Sequence, residues 1–179
     1  LIYKNNISLR LNNYCHLGAE AEIALKINKD IPVKEGGYLN KEEILPYLKE
    51  VMVALEIVDD RNAGSNITFE KLVAQNSMNN GCVLGEPVEI DLMCLDSLQG
   101  KLIVSGKEFG RGIGKNVLQH PLNSVLYLVN NLIKRGRGLY AGDVVLTGSI
   151  STTCWPIHGD KVEAHIDMLN SVSFNVISI

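Results

Sequence analysis

The sequence predicts an α+β fold with a mixed or antiparallel sheet core. Three observations point there: strand-like segments outnumber helical ones, the two kinds seldom alternate, and only HPLNSVLYLVNNLIKRG carries a full helical stripe. The 179 residues fit one domain able to bury a substantial core, and the apolar content of 46% is ordinary for a globular protein.

Residues 1–13 alternate polar and apolar through Ile2, Ile7, Leu9 and Leu11, the pattern of an extended hairpin. GAEAEIALKI then reads as a strand. Pro32 and Gly36-Gly37 mark a loop, Asn40 with Glu43 forms a capping start for a helix through KEEIL, and Pro46 opens a second short turn. VMVALEIV is short, branched and apolar, which predicts a buried strand. A short helix over 68–74 precedes a polar loop over 75–81.

Segments 87–94 and 101–105 read as strands of a hairpin turned at 96–100. In the main helix, Pro121 suits the first turn, and Leu122, Val125, Leu126, Val129, Leu132 and Ile133 line one face before Gly136 ends it. After a turn at 138–143, VVLTG is a strand running into a glycine corner; 161–166 and 171–177 close the fold as strands.

A net charge of -3 without a basic run gives no reason to expect nucleic acid or an anionic membrane as partner. No apolar stretch reaches membrane-span length, and the N-terminus lacks a signal-peptide layout, so the expected location is the cytoplasm. Cys15, Cys82, Cys94 and Cys154 contain no CxxC pair. Cys15 and His16 with Cys154 and His158 are a conceivable zinc set, but their local spacings match no closed zinc site.

The chemistry concentrates in three glutamates. On a strand, Glu20 and Glu22 share one face roughly 6.6 Å apart, while Ala21, Ile23, Leu25 and Ile27 fill the other. Two carboxylates at that separation repel by about 2 kcal/mol at an effective dielectric of 20. Glu56 lies among Val53, Leu55, Ile57 and Val58, where an unpaired charge is costly. Two readings stand side by side: charges on a water-facing strand edge, or oxygen ligands for a hard cation such as Mg2+ or Mn2+.

GKEFGRGIGKN fits neither the dinucleotide nor the P-loop spacing and reads as a flexible turn. His120, just before Pro121, is either a base or a helix cap. Thr147-Gly148-Ser149 is either a strand-to-loop turn or a set of donors for a carboxylate. Asp59, Asp60 and Arg61 either form a solvated pair or shape the metal site.

The segments EAEIAL, ALEIVDDR, QNSMNNGCVLG, HPLNSVLYLVNNL, AGDVVLTGS and HGDKVEAHI occur in an order that resembles the 2-keto-4-pentenoate hydratase and oxalocrotonate decarboxylase group of the fumarylacetoacetate hydrolase superfamily. The resemblance implies a mixed β-roll with peripheral helices. It implies that Glu20, Glu22 and Glu56 ligate Mg2+ or Mn2+, that Thr147, Gly148 and Ser149 lie by the substrate, and that the chain forms a homo-oligomer, with a hydratase/decarboxylase complex as a further association.

The implied activity is that of a metal-dependent lyase on short 2-oxo or 2-hydroxydienoic acids, hydrating 2-hydroxypenta-2,4-dienoate or decarboxylating an oxalocrotonate-type acid. The alternatives are an acylpyruvate hydrolase or oxaloacetate decarboxylase of the same superfamily, and a non-catalytic ligand-binding or assembly subunit. The expected organisation is one domain over 1–179 without the lysine-containing N-terminal segment of the group, which leaves the acid/base group unassigned. Gln75-Asn76 stands where relatives show Asp-Asn, and Val53 where they show proline.

Overall fold

The computed structural model describes residues 1–33, 39–61 and 67–178. Among these, ten strands form two five-stranded sheets, accompanied by three α-helices. The first sheet has the order β1 (Ile2–Tyr3), β5 (Asn79–Leu84), β4 (Leu48–Asp59), β3 (Leu17–Ile27), β8 (Val144–Ser149). The second has the order β2 (Ile7–Arg10), β10 (Val172–Ile177), β9 (Lys161–Ile166), β6 (Gln99–Val104), β7 (Lys107–Ile113). Two pairs, β1 with β5 and β2 with β10, are parallel and the others antiparallel, so the sheets are mixed as the sequence predicts.

The period of two in β3 and β4 positions the rest. Ala21, Ile23, Leu25 and Ile27 face the main core with Val51, Val53, Leu55 and Ile57, and the second sheet contributes Leu102, Val162, Ala164 and Phe174 to the same cluster. The opposite face of β3 and β4 carries Glu20, Glu22 and Glu56, together with a second apolar cluster of Ala24, Met52 and Ala54. A one-residue slip would exchange the two sets, so burial of the core face fixes the register that assembles the glutamates.

The helices follow their end signals. Asn40 and Glu43 make the reciprocal capping box of α1 (Lys41–Ile44), Pro46 lies in the 3-10 turn Leu45–Tyr47, and the Thr68 side chain caps α2 (Phe69–Ala74). In α3 (Pro121–Lys134), Leu122, Val125, Val129 and Ile133 are buried, and the chain leaves through Gly136 at φ 66°.

Four expectations need correction. Residues 1–13 are not a hairpin: the chain turns at Asn6, φ 63°, and β1 and β2 join different sheets. The Asn5 side chain fixes that turn by accepting from the backbone of Asn6 and Ser173. The polar loop over 75–81 ends early, because Asn79 already belongs to β5 and its partner β4 supplies the pairing that the local sequence does not advertise.

Residues 87–94 form no strand. Val88 makes one bridge to Val51, and the Asp91 carboxylate then accepts from Met93 N to start the 3-10 helix Leu92–Ser97. The partner of β6 is instead the glycine-rich stretch, which is strand β7 and not a flexible turn. Its glycines admit close backbone approach: a Cβ on Gly112 would overlap the carbonyl of Ile150, and one on Gly114 that of Leu95. The expected loop at Gly36-Gly37 lies outside the described residues.

Candidate metal centre

Strands β3 and β4 bring the three glutamates together. Glu20 and Glu56 are direct partners across the antiparallel ladder, and Glu22 stands two residues along β3 on the same face. One carboxylate oxygen from each lies within 4.8 Å of the others. Among the described residues this is the one group of three or more His, Cys, Asp or Glu side chains placed to share an ion.

The electrostatics suit a place for a cation. Glu22 is 2% exposed, and its carboxyl is pushed well above the usual carboxylate range, first by burial and then by the charge of Glu56. Burial also raises Glu56, with Glu20 adding to the rise. An acidic group on solvated side chains would show neither effect. A hard divalent cation offsets both burial and repulsion, and the oxygen-only donor set suits magnesium or manganese better than zinc.

Each carboxylate is oriented by one donor. Gly148 N donates to Glu22 Oε2 at 2.8 Å, Asn79 Nδ2 donates to Glu56 Oε1 at 2.6 Å, and the Thr153 hydroxyl donates to Glu20 Oε1. Such second-layer bonds set which lone pairs face the ion. Thr153 lay outside every segment singled out in the sequence, and Asn79 lay within QNSMNNGCVLG with no role assigned to it. Asn79 follows Asn76, Ser77 and Met78, three consecutive residues in the left-handed region at φ 52°, 52° and 63°. Each such residue without glycine's freedom costs roughly 1–2 kcal/mol.

Arg61 fastens that turn. Its guanidinium donates to the carbonyls of Gln75 at 3.2 Å and Asn79 at 2.8 Å. Asp59, 5% exposed, accepts the backbone N–H groups of Cys15, His16 and Arg61. Asp59 and Arg61 therefore shape the site through the backbone rather than forming a solvated pair. Asp60 accepts from or shares a proton with His16 Nδ1 at 2.9 Å, and the His16 ring stacks on Trp155 with centroids 4.2 Å apart.

At the glycine corner, Gly148 adopts φ 118° and reaches Glu22 through its N–H. Ser149 is the ladder partner of Glu22, and its hydroxyl donates to Ser151 O. The Thr147 hydroxyl donates to Ile23 O and is buried. His120 caps α3, accepting from Leu122 N through Nδ1. Cys154 is buried in a bridge to Ala19, with burial pushing its thiol up to about 12, and among the described residues Cys15, His16, Cys154 and His158 form no group placed to share an ion.

Residues 4–177 match the fumarylacetoacetate (FAA) hydrolase C-terminal family. The chain is 35% identical over 160 residues to 2-keto-4-pentenoate hydratase 1 of Dechloromonas aromatica, covering 86% of this chain and 58% of that protein. It is 29% identical to the 2-hydroxyhexa-2,4-dienoate hydratase of Comamonas testosteroni, covering 93% of this chain and 62% of that one. It thus spans about 58% of the length of curated relatives.

Among solved structures, 4-oxalocrotonate decarboxylase from Pseudomonas putida G7, complexed with magnesium and adipate, superposes with a TM-score of 0.88. Identity there is 25%, over 98% of this chain and 66% of that one. Fumarylpyruvate hydrolase from Pseudomonas aeruginosa, in complex with Mn2+ and pyruvate, shares the fold at a TM-score of 0.73 and 15% identity, over 100% of this chain and 75% of that one. With the family matched over nearly its whole length and its two mixed sheets carrying few helices, this chain belongs to the fumarylacetoacetate hydrolase family.

Proposed function

We propose that this chain is the metal-holding domain of a lyase acting on short 2-oxo or 2-hydroxydienoic acids, and that its reaction is hydration of 2-hydroxypenta-2,4-dienoate to 4-hydroxy-2-oxopentanoate. The observation that carries the reading is the convergence of Glu20, Glu22 and Glu56 within 4.8 Å, with Glu22 buried and the others partly buried. The named hydratases at 29–35% identity support the substrate class. Decarboxylation of an oxalocrotonate-type acid is the second reading, favoured by the superposition on the P. putida decarboxylase.

The three glutamates hold Mg2+ or Mn2+, and Gly148, Asn79 and Thr153 keep their carboxylates aimed at it. A cation held there would supply Lewis acidity to the substrate. Thr147 anchors the corner to β3 so that Gly148 and Ser149 border the substrate. A homo-oligomer, with a hydratase/decarboxylase complex as its extension, is proposed as the assembly.

The test combines binding and product analysis. Mn2+ titration is expected to show one site that Glu22→Gln removes. Incubation with 2-hydroxypenta-2,4-dienoate and Mg2+ or Mn2+ is expected to bleach the dienol absorbance with gain of one water by mass. Unchanged Mn2+ affinity in Glu22→Gln overturns the metal assignment, and loss of carbon dioxide from an oxalocrotonate-type acid instead selects the second reading.

A further inference from the structure

The turn that delivers Asn79 to Glu56 is longer than the helix before it requires. α2 ends in a Schellman cap, in which Asn76 N–H donates to Val73 O at 3.1 Å and Ser77 N–H to Leu72 O at 2.7 Å. That cap accounts for one left-handed residue, Asn76. Ser77 and Met78 stay left-handed beyond it and close two further bonds, Met78 N–H to Gln75 O and Asn79 N–H to Asn76 O. Each carries backbone strain that glycine would escape.

The strained residues open on the cation site. Asn76 and Ser77 line a cavity of about 580 Å³ together with Glu56, Asn79 and Cys82. The backbone of the turn is tied down, with Gln75 O and Asn79 O taken by Arg61 and Met78 O by the N–H of Asp59. The Asn76 and Ser77 side chains are exposed, and among the described residues neither has a hydrogen-bond partner. Unengaged donors and acceptors are thus held beside a glutamate of the metal centre. Strain of this kind persists only where the surroundings over-determine it, and it clusters at sites of function.

We propose that Asn76 and Ser77 are positioning residues for a hydroxyl on the chain of the bound acid: the 4-hydroxyl of a 4-hydroxy-2-oxo acid and, in the forward direction, the water that becomes it. The inference rests on the lyase reading above and adds to it the residues that place the water. After the enol proton has moved to C5, the water oxygen bonds to C4, the C3–C4 π pair shifts toward the 2-oxo oxygen, and the proton that water loses is matched by the one that C3 gains. A water or hydroxyl both donates and accepts, and so do the serine hydroxyl and the carboxamide; the carboxylates of the lining, Glu56 and Asp143, only accept. With the Asn79 amide already given to Glu56, Asn76 and Ser77 are the unengaged amide and hydroxyl among the described residues of the lining.

The experiment uses the Mn2+-loaded protein with oxalate, 2-oxopentanoate and 4-hydroxy-2-oxopentanoate, the last two differing only in the hydroxyl. Affinities are read on mixing, from the water-proton relaxation of Mn2+. The hydroxy acid is expected to bind about threefold to tenfold more tightly than 2-oxopentanoate, the worth of one hydrogen bond. Asn76→Gly and Ser77→Gly, made together, are expected to erase that gap, to leave oxalate affinity unchanged, and to keep or raise the melting temperature, since glycine adopts the left-handed conformation freely. Ser77→Ala, which keeps the backbone constraint, is expected to narrow the gap with oxalate again unchanged.

Equal affinities for the five-carbon pair, with oxalate still bound, overturn the hydroxyl assignment and leave the cation reading standing. A gap that survives the double glycine variant overturns the role of Asn76 and Ser77. A lower melting temperature or lost oxalate binding in that variant shows that the turn serves the fold alone, which also overturns the proposal. Failure of oxalate to bind the unaltered Mn2+ protein removes the cation reading, and this inference with it.

Discussion

Glu20 and Glu56 are direct partners across the antiparallel β3–β4 ladder, a place where like charges are ordinarily destabilising. Glu22 completes the group from the next position on the same face. The strand pair accepts this repulsion because the middle of its other face is apolar, so that moving the glutamates apart would expose Ala21, Ile23, Leu55 and Ile57.

Removing one ligand should separate stability from binding. Glu22→Gln is expected to weaken Mn2+ binding by more than about 100-fold, beyond the 10–100-fold typical of outer-layer changes. The metal-free protein should melt at the same temperature or higher, since a buried repelling charge is gone. Calorimetric titration and thermal unfolding check the two outcomes.

The second layer should matter less, without being silent. Asn79→Ala and Thr153→Val each remove the donor that orients one glutamate. Each is expected to cost about 10–100-fold in Mn2+ affinity while the fold persists. Full affinity in both variants would show that the carboxylates orient themselves.

The metal's effect on stability should grow with pH. Glu22 has its folded pKa raised above the ordinary value of 4.5, so the metal-free protein is favoured below that value and loses stability as pH rises through the folded pKa. Bound cation offsets the loss. The melting-temperature gain on adding Mn2+ is therefore expected to be small at acid pH and to increase toward neutrality. A gain that is flat or falls with pH contradicts this.

Two glycines at opposite ends of β7 should respond very differently to alanine. Gly112→Ala drives a Cβ into the Ile150 carbonyl and is expected to destabilise by at least about 3 kcal/mol or to prevent folding. Gly106, at φ 79° with no atom within 4 Å of its would-be Cβ, carries only the conformational penalty, about 1–2 kcal/mol on mutation to alanine. Denaturant unfolding of the pair measures the difference.

His120→Ala tests a cap against a base. Loss of its bond to Leu122 N is expected to cost about 1 kcal/mol of stability, with Mn2+ affinity unchanged. A large loss of Mn2+ affinity in the folded variant would connect His120 to the metal centre.

The amino-acid sequence alone determined what periodicity and end chemistry can specify. Alternation in β3 separated Ala21, Ile23, Leu25 and Ile27 from Glu20 and Glu22, the apolar run in β4 marked a buried strand, and Asn40, Thr68, Pro121 and Gly136 marked helix boundaries. These signals are local, so they survive without a partner strand.

Tertiary structure decided what depends on residues distant in the chain. Asn79 looked like loop until β4 offered its ladder, and Gly112 looked like flexibility until Ile150 lay against it. The pairing of Glu20 with Glu56, the donor from Thr153 to Glu20 and the neutralisation of Lys26 by Glu50 join residues 24 to 133 positions apart. Their energy comes from burial and register across the sheet, which no single segment contains.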